Sequence, residues 1–598
     1  YFNKNQFTVN LMYILGLNAF HADSSACLFK DGNLVAAVEE ERFRRIKHWA
    51  GFPSESIRWC LFKEGIKLNE VDHIAINQDD KANLFKKITF TLRKRPNVGM
   101  LLDRYKNKKK RSNLEQYLNN SFPETKFNGK IHFVEHHIAH LSSAFHVSPF
   151  KKAAVVSVDG FGDFASTAWG SGFGNKINVD NRIYFPHSLG IFYQAITQLI
   201  GFQNYGDEYK VMGLAPYGKP SYLDKMREIV NLQSDGKFEL NLNYFRHHKE
   251  KIEYEWENGS PTFGRLFSIE LENLLGPVRD EKSSITQHHM DIAQSAQIMY
   301  EEAFFNILNH LHDKYHLDNL AIAGGCGMNS VANGKVLLNT PFKKIYIQSA
   351  AGDAGGAIGA ALTTLFNVDK DQTKKKILPH SHAYWGPSFK DEEIEKAINL
   401  KRDKIEIEKC DIDYFSNNSE LIKRTAKEIA EGKVIGWFQG SMEWGPRALG
   451  NRSIICDPRR SDMKDILNIK IKRRESFRPF APSVLQDEVE NWFEQHHEVP
   501  FMMQVYQIIE NKREFIPAVT HVDGSGRLQT VNQKDNSLYY DLINEFNILT
   551  GIPMVLNTSF NENEPVVCKP EEALETFLRT KMDLLVMGKW MIKRKNKS

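Results

Sequence analysis

IHFVEHHIAHLSSAFHVSPFKKAAVVSVDGFGD, residues 131–163, decides how this chain is read. Residues 131–135 have the apolar pattern of a short strand. Residues 136–148 read as a helix that Pro149 closes, and 153–158 as a buried strand. His136 and His140 are four apart, so on a helix both imidazoles project from one face. His137 lies about 100° round the helix from His136 and is set aside as a ligand. Asp159 follows where the second strand is expected to end, in the Gly-rich turn DGFGD with Gly160 beside it. Two imidazoles and a carboxylate are the parts of a site for iron, zinc or manganese, although a His-rich surface helix would carry the same letters. A charged imidazole at a helix N-terminus opposes the helix dipole, which favours neutral, ligating rings there.

The chain around it has 598 residues, too many for one hydrophobic core, so two or more large domains are expected. Hydrophobic residues make up 41% and charged residues 25%, as in an ordinary soluble protein, and the net charge of +4 is too small to argue for a nucleic-acid binder. Cys27, Cys60, Cys326, Cys410, Cys456 and Cys568 form no CxxC, which points to a reducing, cytoplasmic setting. No apolar run approaches the ~20 residues of a membrane span, and a membrane partner is not expected. Residues 1–11 are taken as a leader or tag before Met12.

In the first half, residues 12–17 are a strand, and 25–29 and 34–38 flank the turn KDGN as a hairpin. The polar loop before the hairpin carries His21 and Asp23. EEERFRRIKH (39–48) reads mainly as a solvated helix start, with Arg45 and Lys47 as cleft candidates. The basic excess over 86–111, including KNKKKR, reads as a solvated connector, because it lacks the aromatic interleaving of an RNA-binding patch. GDEYKVMGLAPYGKP (206–220) is expected to be an irregular cleft segment in which Lys210 meets an anion. Residues 291–312 have helical, core-facing periodicity. NLAIAGGCGMNSVANGKV then gives a strand, a Gly turn and a helix, in which the glycines let backbone approach a ligand closely and the helix N-terminus favours a phosphate. It lacks the GK[ST] of a Walker A loop. KIYIQS leads into AAGDAGGAIGAAL, and its Asp353 is the natural fourth ligand beside His136, His140 and Asp159. Two strand-turn-acid units around a Gly turn match the duplicated α/β plan of actin/Hsp70-like (ASKHA) ATPases.

The second half opens with NVDKDQTKKK, a linker candidate within 367–384. Helices at 391–400 and 420–431 and the strand VIGWFQG follow. SMEWGPRALGNRS places Arg447 and Arg452, and IKIKRRESFRPFAPSVL places Lys470, Lys472, Arg473, Arg474 and Arg478 among prolines and aromatics. That interleaving favours an anion pocket over a solvated basic face. THVDGSGRLQTV adds His521 and Arg527, and GIPMVLNTSFNENEP ends a strand in Ser559 and Asn561.

HHIAH, VDGFGD, GDEYKVMGLAPYG, GGCGMN and AAGDAGGAIGAA resemble the O-carbamoyltransferases of the NodU/CmcH/TobZ family, and the likeness covers nearly all of 12–590. It implies a Kae1-like domain at 12–366 and an α/β YrdC-like domain at 385–598. In that family the second domain makes carbamoyl adenylate from carbamoyl phosphate and ATP with Mg. The first passes the carbamoyl group to an acceptor hydroxyl at a metal site, expected to hold iron, with manganese or zinc as alternatives.

Carried over by motif, Arg447, Lys472, Arg478, Arg527 and Ser559, with Asn561, serve the adenylate step. His136, His140, Asp159 and Asp353 hold the metal, and Gly160, Gly325, Asn329 and Lys210 meet the nucleotide. His21 is the expected general base. This chain reads His-Ala-Asp where many members read His-Asp, which puts the usual part of Asp23 in doubt. The acceptor class is open to a sugar, an aminoglycoside, a lipo-oligosaccharide or another natural product, and a homodimer is compatible. The alternatives are tRNA threonylcarbamoyladenosine synthesis, which would want more basic surface, and a regulatory ATP-binding module, which has no need of a second anion site. HypF-type hydrogenase maturation would call for CxxC zinc fingers and an acylphosphatase segment, and neither is found here.

Overall fold

The computed structural model describes residues 11–94, 113–250, 252, 254–255, 259–369 and 377–595. Residues 1–10 of the expected leader, 95–111 of the basic connector, 370–376 of the linker and the side chain of Lys470 lie outside the described residues. The fold is mixed α/β, built on three large sheets.

The first sheet contains β1 (Tyr13–Asn18), β2 (Ser25–Lys30), β3 (Asn33–Glu39), β4 (His73–Ile76) and β5 (Lys130–Phe133), in the order β3-β2-β1-β4-β5. The hairpin strands are antiparallel, and β4 and β5 continue the sheet in parallel. The second contains β6 (Lys152–Gly162), β7 (Ala165–Phe173), β8 (Lys176–Tyr184), β9 (Asn319–Ala323) and β10 (Lys344–Ile347). Its order, β8-β7-β6-β9-β10, repeats the first strand for strand, with the same parallel and antiparallel neighbours. The duplication read from the two strand-turn-acid units is therefore present in the backbone.

Two helices, α1 (His136–Phe145) and α2 (Gly356–Val368), pack against each other with the sheets around them. The close approach explains the composition of AAGDAGGAIGAAL. A Cβ on Gly359 would stand 1.7 Å from the Ala139 carbonyl oxygen, and one on Gly16 of β1 would stand 2.1 Å from that of Ala357. Small residues let α2 lie flush on both neighbours, which fixes the turn Asp353–Gly355 just before it.

The third sheet has eight strands: β11 (Cys410–Tyr414), β12 (Ile435–Phe438), β13 (Arg452–Cys456), β14 (Ala481–Leu485), β15 (Gln529–Val531), β16 (Met554–Ser559), β17 (Leu584–Met587) and β18 (Trp590–Arg594). Their order is β11-β18-β17-β12-β13-β16-β14-β15. Helices Asn418–Ala430, Ser537–Thr550 and Pro570–Thr580 contribute apolar side chains to its core.

Several expectations need correction. α1 ends at Phe145, short of the expected Ser148. Asp159 lies inside β6, at a bulge between Val158 and Gly162, and not beyond the strand end. The segment expected to be irregular contains the helix Glu208–Leu214 and a turn of 3-10 helix at Ala215–Tyr217.

The largest correction concerns 39–48: a short helix, Glu41–Arg44, does start there with Arg44 and Lys47 exposed, but the run is also an internal joint. Glu39 and Arg42 are buried. Glu39 accepts the Gly445 N–H at 2.7 Å, and Arg42 donates to the Gly445 carbonyl at 2.8 Å. Arg45 donates to the Pro565 and Val566 carbonyls and pairs with Glu572. Buried charges persist only where such partners meet them, and here the partners lie some 400 residues away in sequence for Glu39 and Arg42 and more than 500 for Arg45.

Gly359→Ala overpacks the α1–α2 contact. The expected loss is about 1–3 kcal/mol, a fall of a few degrees in the thermal unfolding midpoint, readable by circular dichroism.

Candidate active site

α1 starts on two carboxylates. Glu135 caps it by accepting the Ile138 N–H, and Asp163 accepts the backbone N–H groups of His136 and Asp79. With the helix start fixed, His136 and His140 aim their Nε2 atoms at one point. These atoms are 3.0 Å apart and stand 3.1 and 2.9 Å from Asp159 Oδ2. Asp353 Oδ1 lies 3.6 and 3.4 Å from the same two nitrogens. Two imidazole nitrogens and two carboxylates thus converge within 4.8 Å, a donor set that suits a divalent transition metal.

The second oxygen of Asp159 accepts the N–H groups of Gly160 and Gly325, so the carboxylate also pins the Gly turn of the second sheet. A Cβ on Gly325 would come within 2.9 Å of that oxygen, and one on Gly162 would enter the His136 ring. His137 turns away to Ser157 Oγ, and burial holds its pKa down at about 4.

The electrostatics of the cluster are those of closely packed carboxylates and imidazoles that share positive charge. Burial alone would depress His136, but the Asp159 hydrogen bond and the Asp353 charge outweigh it and raise its pKa to about 10. Burial would raise Asp159, yet the two imidazoles hold it well below the usual carboxylate range. Burial and the neighbouring Asp159 charge raise Asp353. A proton on these rings fills the position a metal ion would take, so the residues fit the metal.

From this cluster a single cavity of about 490 Å³ runs to the third sheet. At one end it is lined by Asp159, Gly160, Gly325, Asn329 and Asp353. At the other it is lined by Arg447, Arg474, Arg478, Arg527, Ser559 and Asn561. Burial, then mutual repulsion, lowers the guanidinium pKa of Arg527, and burial lowers Arg447 to about 10 and Arg474 to about 9. Among the described residues, Arg447 and Arg527 have no carboxylate partner, and their Nε atoms make no hydrogen bond. Arg478 stacks 4.5 Å over Tyr209, a residue of the helix that follows Asp207. Arg478 also pairs with Glu475 at 3.5 Å, so Arg447 and Arg527 are the cations without counter-charge, and clustered cations of that kind suit an anion.

Other expected residues stand elsewhere. Lys210 pairs with Asp207 and Glu475 and is not on the cavity wall. Lys472 is buried beneath Ser559 and Asn561, holding both carbonyl oxygens and the Asn561 side chain, and burial depresses its pKa strongly. Arg452 is a clip inside the third sheet, donating to four backbone carbonyls and lying 3.7 Å over the Phe438 ring. Arg473 points outward to Glu562. His21 Nε2 meets Gln78 Oε1 at 2.9 Å, with its ring 6.1 Å from His136, and it does not line the cavity.

His48, which the sequence reading passed over, does line it. Its Nδ1 lies 2.8 Å from Asp23 Oδ1, and burial, outweighed by that carboxylate, leaves its pKa raised to about 9. Gly206 lies beneath His48 Nε2, where a Cβ would stand 2.5 Å away. Lys47, Lys464 and Glu208 also face the cavity, and burial lifts Glu208 to about 7. Lys47 is a cleft residue, as expected, whereas Arg45 is taken up by the joint; His48 would have been found only if the run 39–48 had been read as internal.

Two family descriptions match the chain: Carbamoyltransferase N-terminus over residues 13–362 and Carbamoyltransferase C-terminus over 426–594. An uncharacterised protein of Synechocystis is 40% identical, covering 97% of each chain. Nodulation protein NolNO of Sinorhizobium fredii is 38% identical over 97% of this chain and 80% of its own. Nodulation protein U of Bradyrhizobium diazoefficiens is 26% identical over 92% of both.

In the cation-free protein the stabilisation from protonated His136 is complete below its unfolded value of about 6.5 and is lost as pH rises through about 10. A divalent cation must displace that proton. Its affinity is therefore expected to climb with pH across this window, roughly tenfold per unit for each proton released. Equilibrium dialysis against Mn²⁺ reads this directly. His136→Ala and Asp353→Ala should lose the cation while His137→Ala keeps it, and full metal content in the first two would refute the site.

Proposed function

This chain belongs to the carbamoyltransferase family, and on that premise we propose that it is an ATP-dependent O-carbamoyltransferase whose two half-reactions share the one cavity. The observation that carries the reading is the cavity's polarity. Four guanidiniums line one end, and the two carboxylates of the His/Asp cluster line the other.

The fold supports the same reading. The repeated five-stranded sheets suit an actin/Hsp70-like pair, and the eight-stranded sheet forms a second unit, the one proposed here to be YrdC-like. At the arginine end, carbamoyl phosphate, water and ATP give carbamoyl adenylate, phosphate and pyrophosphate. Arg447, Arg474, Arg478 and Arg527 offset the crowded phosphate charge and align the carbamate oxygen with the α-phosphorus. Lys472 acts from beneath, holding Ser559 and Asn561 so that hydroxyl, amide and backbone groups face the phosphates. Glu475 and Asp207 restrain Lys210, which braces the helix carrying Tyr209 beneath Arg478.

The adenylate then has its phosphate at the other end without crossing bulk water, which would hydrolyse it. The Gly turn 324–327 offers room for close backbone approach there, and Asn329 caps the following helix. When bound, a divalent metal on His136, His140, Asp159 and Asp353 supplies positive charge against the nucleotide phosphate. The acceptor oxygen attacks the carbamoyl carbon, its proton moves to a side chain, and AMP leaves with the bonding pair. His21, its ring 6.1 Å from that of His136, is the side chain proposed to take that proton, whereas His48, which Asp23 keeps protonated up to about 9, is placed to donate an N–H to the acceptor or the carbamoyl oxygen. His21 borders the metal cluster from outside the cavity. The acceptor is a small hydroxylated molecule. The nodulation-protein relatives favour a sugar-based acceptor such as a lipo-oligosaccharide.

Incubation with carbamoyl phosphate and labelled ATP is expected to release pyrophosphate and form carbamoyl adenylate, and the lack of both would reject the two-step reading. Arg527→Ala should cut pyrophosphate release by roughly a hundredfold while leaving metal content unchanged. Mass detection of a carbamoyl addition across a panel of hydroxylated acceptors identifies the second substrate.

A further inference from the structure

The helix Leu84–Lys94 is oriented in a way the reaction does not explain. Phe90 anchors it, its ring 5.8 Å from Phe164 and 5.1 Å from Phe185. Leu84, Phe85, Ile88 and Leu92 fall on the opposite side within an arc of about 100°. They are 55%, 78%, 50% and 73% exposed, four large apolar side chains in one continuous ridge. Isolated exposed apolar residues are ordinary, but a ridge of four on one helix face marks a contact surface.

Charge indicates what meets it. Lys86 is exposed beside the ridge, over the Tyr184 ring. The helix itself, residues 84–94, carries four basic residues, Lys86, Lys87, Arg93 and Lys94, and no acid, whereas the whole chain carries only +4. The element that exposes the apolar ridge is thus itself basic. A second copy meeting this face across a two-fold axis would bring two such stretches together and be repelled. Nucleic acid has no use for a Leu/Ile ridge. Apolar side chains inserted at the acyl boundary, with lysines at the phosphate level, fit a bilayer surface that carries anionic headgroups.

We propose that this helix docks the protein peripherally on an anionic phospholipid surface. No helix among the described residues is long and apolar enough to cross a membrane, so the contact is interfacial. Docking of this kind would hold a soluble enzyme beside an acceptor that carries an acyl chain.

The test uses the full chain and extruded vesicles of phosphatidylcholine with about one-third phosphatidylglycerol, scored by co-sedimentation. Binding is expected to exceed that to pure phosphatidylcholine vesicles by at least about tenfold and to weaken with salt. Phe85→Glu with Leu92→Glu should lower it about tenfold at an unchanged thermal midpoint, and Leu92→Gln alone should lower it less. Equal binding to both vesicle types, or retained binding in the double variant, would overturn the proposal. So would a wild-type dimer that the double variant dissociates, which would assign the ridge to a second copy. If the double variant unfolds, the ridge is instead covered by the protein's own chain, and the proposal fails. Pyrophosphate release serves as the internal control and should not change in either variant.

Discussion

The carboxylate of Asp159 is the contact on which the rest depends. One oxygen receives the Nε2 atoms of His136 and His140, and the other receives the backbone N–H groups of Gly160 and Gly325. Four separate pieces of chain therefore meet on one side chain: α1, the bulge of β6, the Gly turn after β9 and, through the shared imidazoles, the turn before α2. The bulge is what makes this possible. It lifts residues 159–161 out of register with β7, so that Asp159 faces the cluster while the strand continues to Gly162. A regular strand would leave the carboxylate in the ladder, unable to reach both Gly turns.

Around that point the protein separates charge by what each cation is given to hold. Arg452, Lys472 and Lys210 are all satisfied internally, by carbonyls, an amide or carboxylates, and act as ties. Arg447 and Arg527 are left without such partners and suffer one another's charge. A buried cation without a counter-ion is expensive unless a ligand supplies one, so the arrangement favours an anion there. The ties hold the unpaired arginines close together in spite of their repulsion.

Much of this was legible in sequence, for a physical reason. His136 and His140 at helical spacing, Asp159 and Asp353 each tied to a strand, and the Gly turn between them obey local periodicity, and local periodicity places side chains on faces. The duplicated sheet was legible on the same ground. What failed were the residues whose role is set by partners far away in sequence. The run 39–48 has the composition of a solvated helix, yet Glu39 and Arg42 close on Gly445 and Arg45 on Pro565 and Val566. Lys210, Lys472 and Arg452 carry the right charge for an anion site, but charge alone does not say whether the counter-charge is a ligand or the protein's own backbone. The same blindness hid His48, whose partner Asp23 lies across a hairpin.

Those two failures are connected. The stretch that joins the units through Glu39, Arg42 and Arg45 is the same stretch that sends Lys47 and His48 into the cavity, only a few residues further on. Gly445, whose N–H and carbonyl form the other side of the joint, lies two residues before Arg447 and has φ of +110°, where a side chain would be strained. Any movement that opened the joint would therefore displace His48 and Arg447 together. At this point the cavity wall is the joint itself, since Glu39, Arg42, Lys47, His48 and Arg447 all line it. One run of ten residues thus both joins the units and lines the cavity, and its charges are matched by distant partners as well as by solvent.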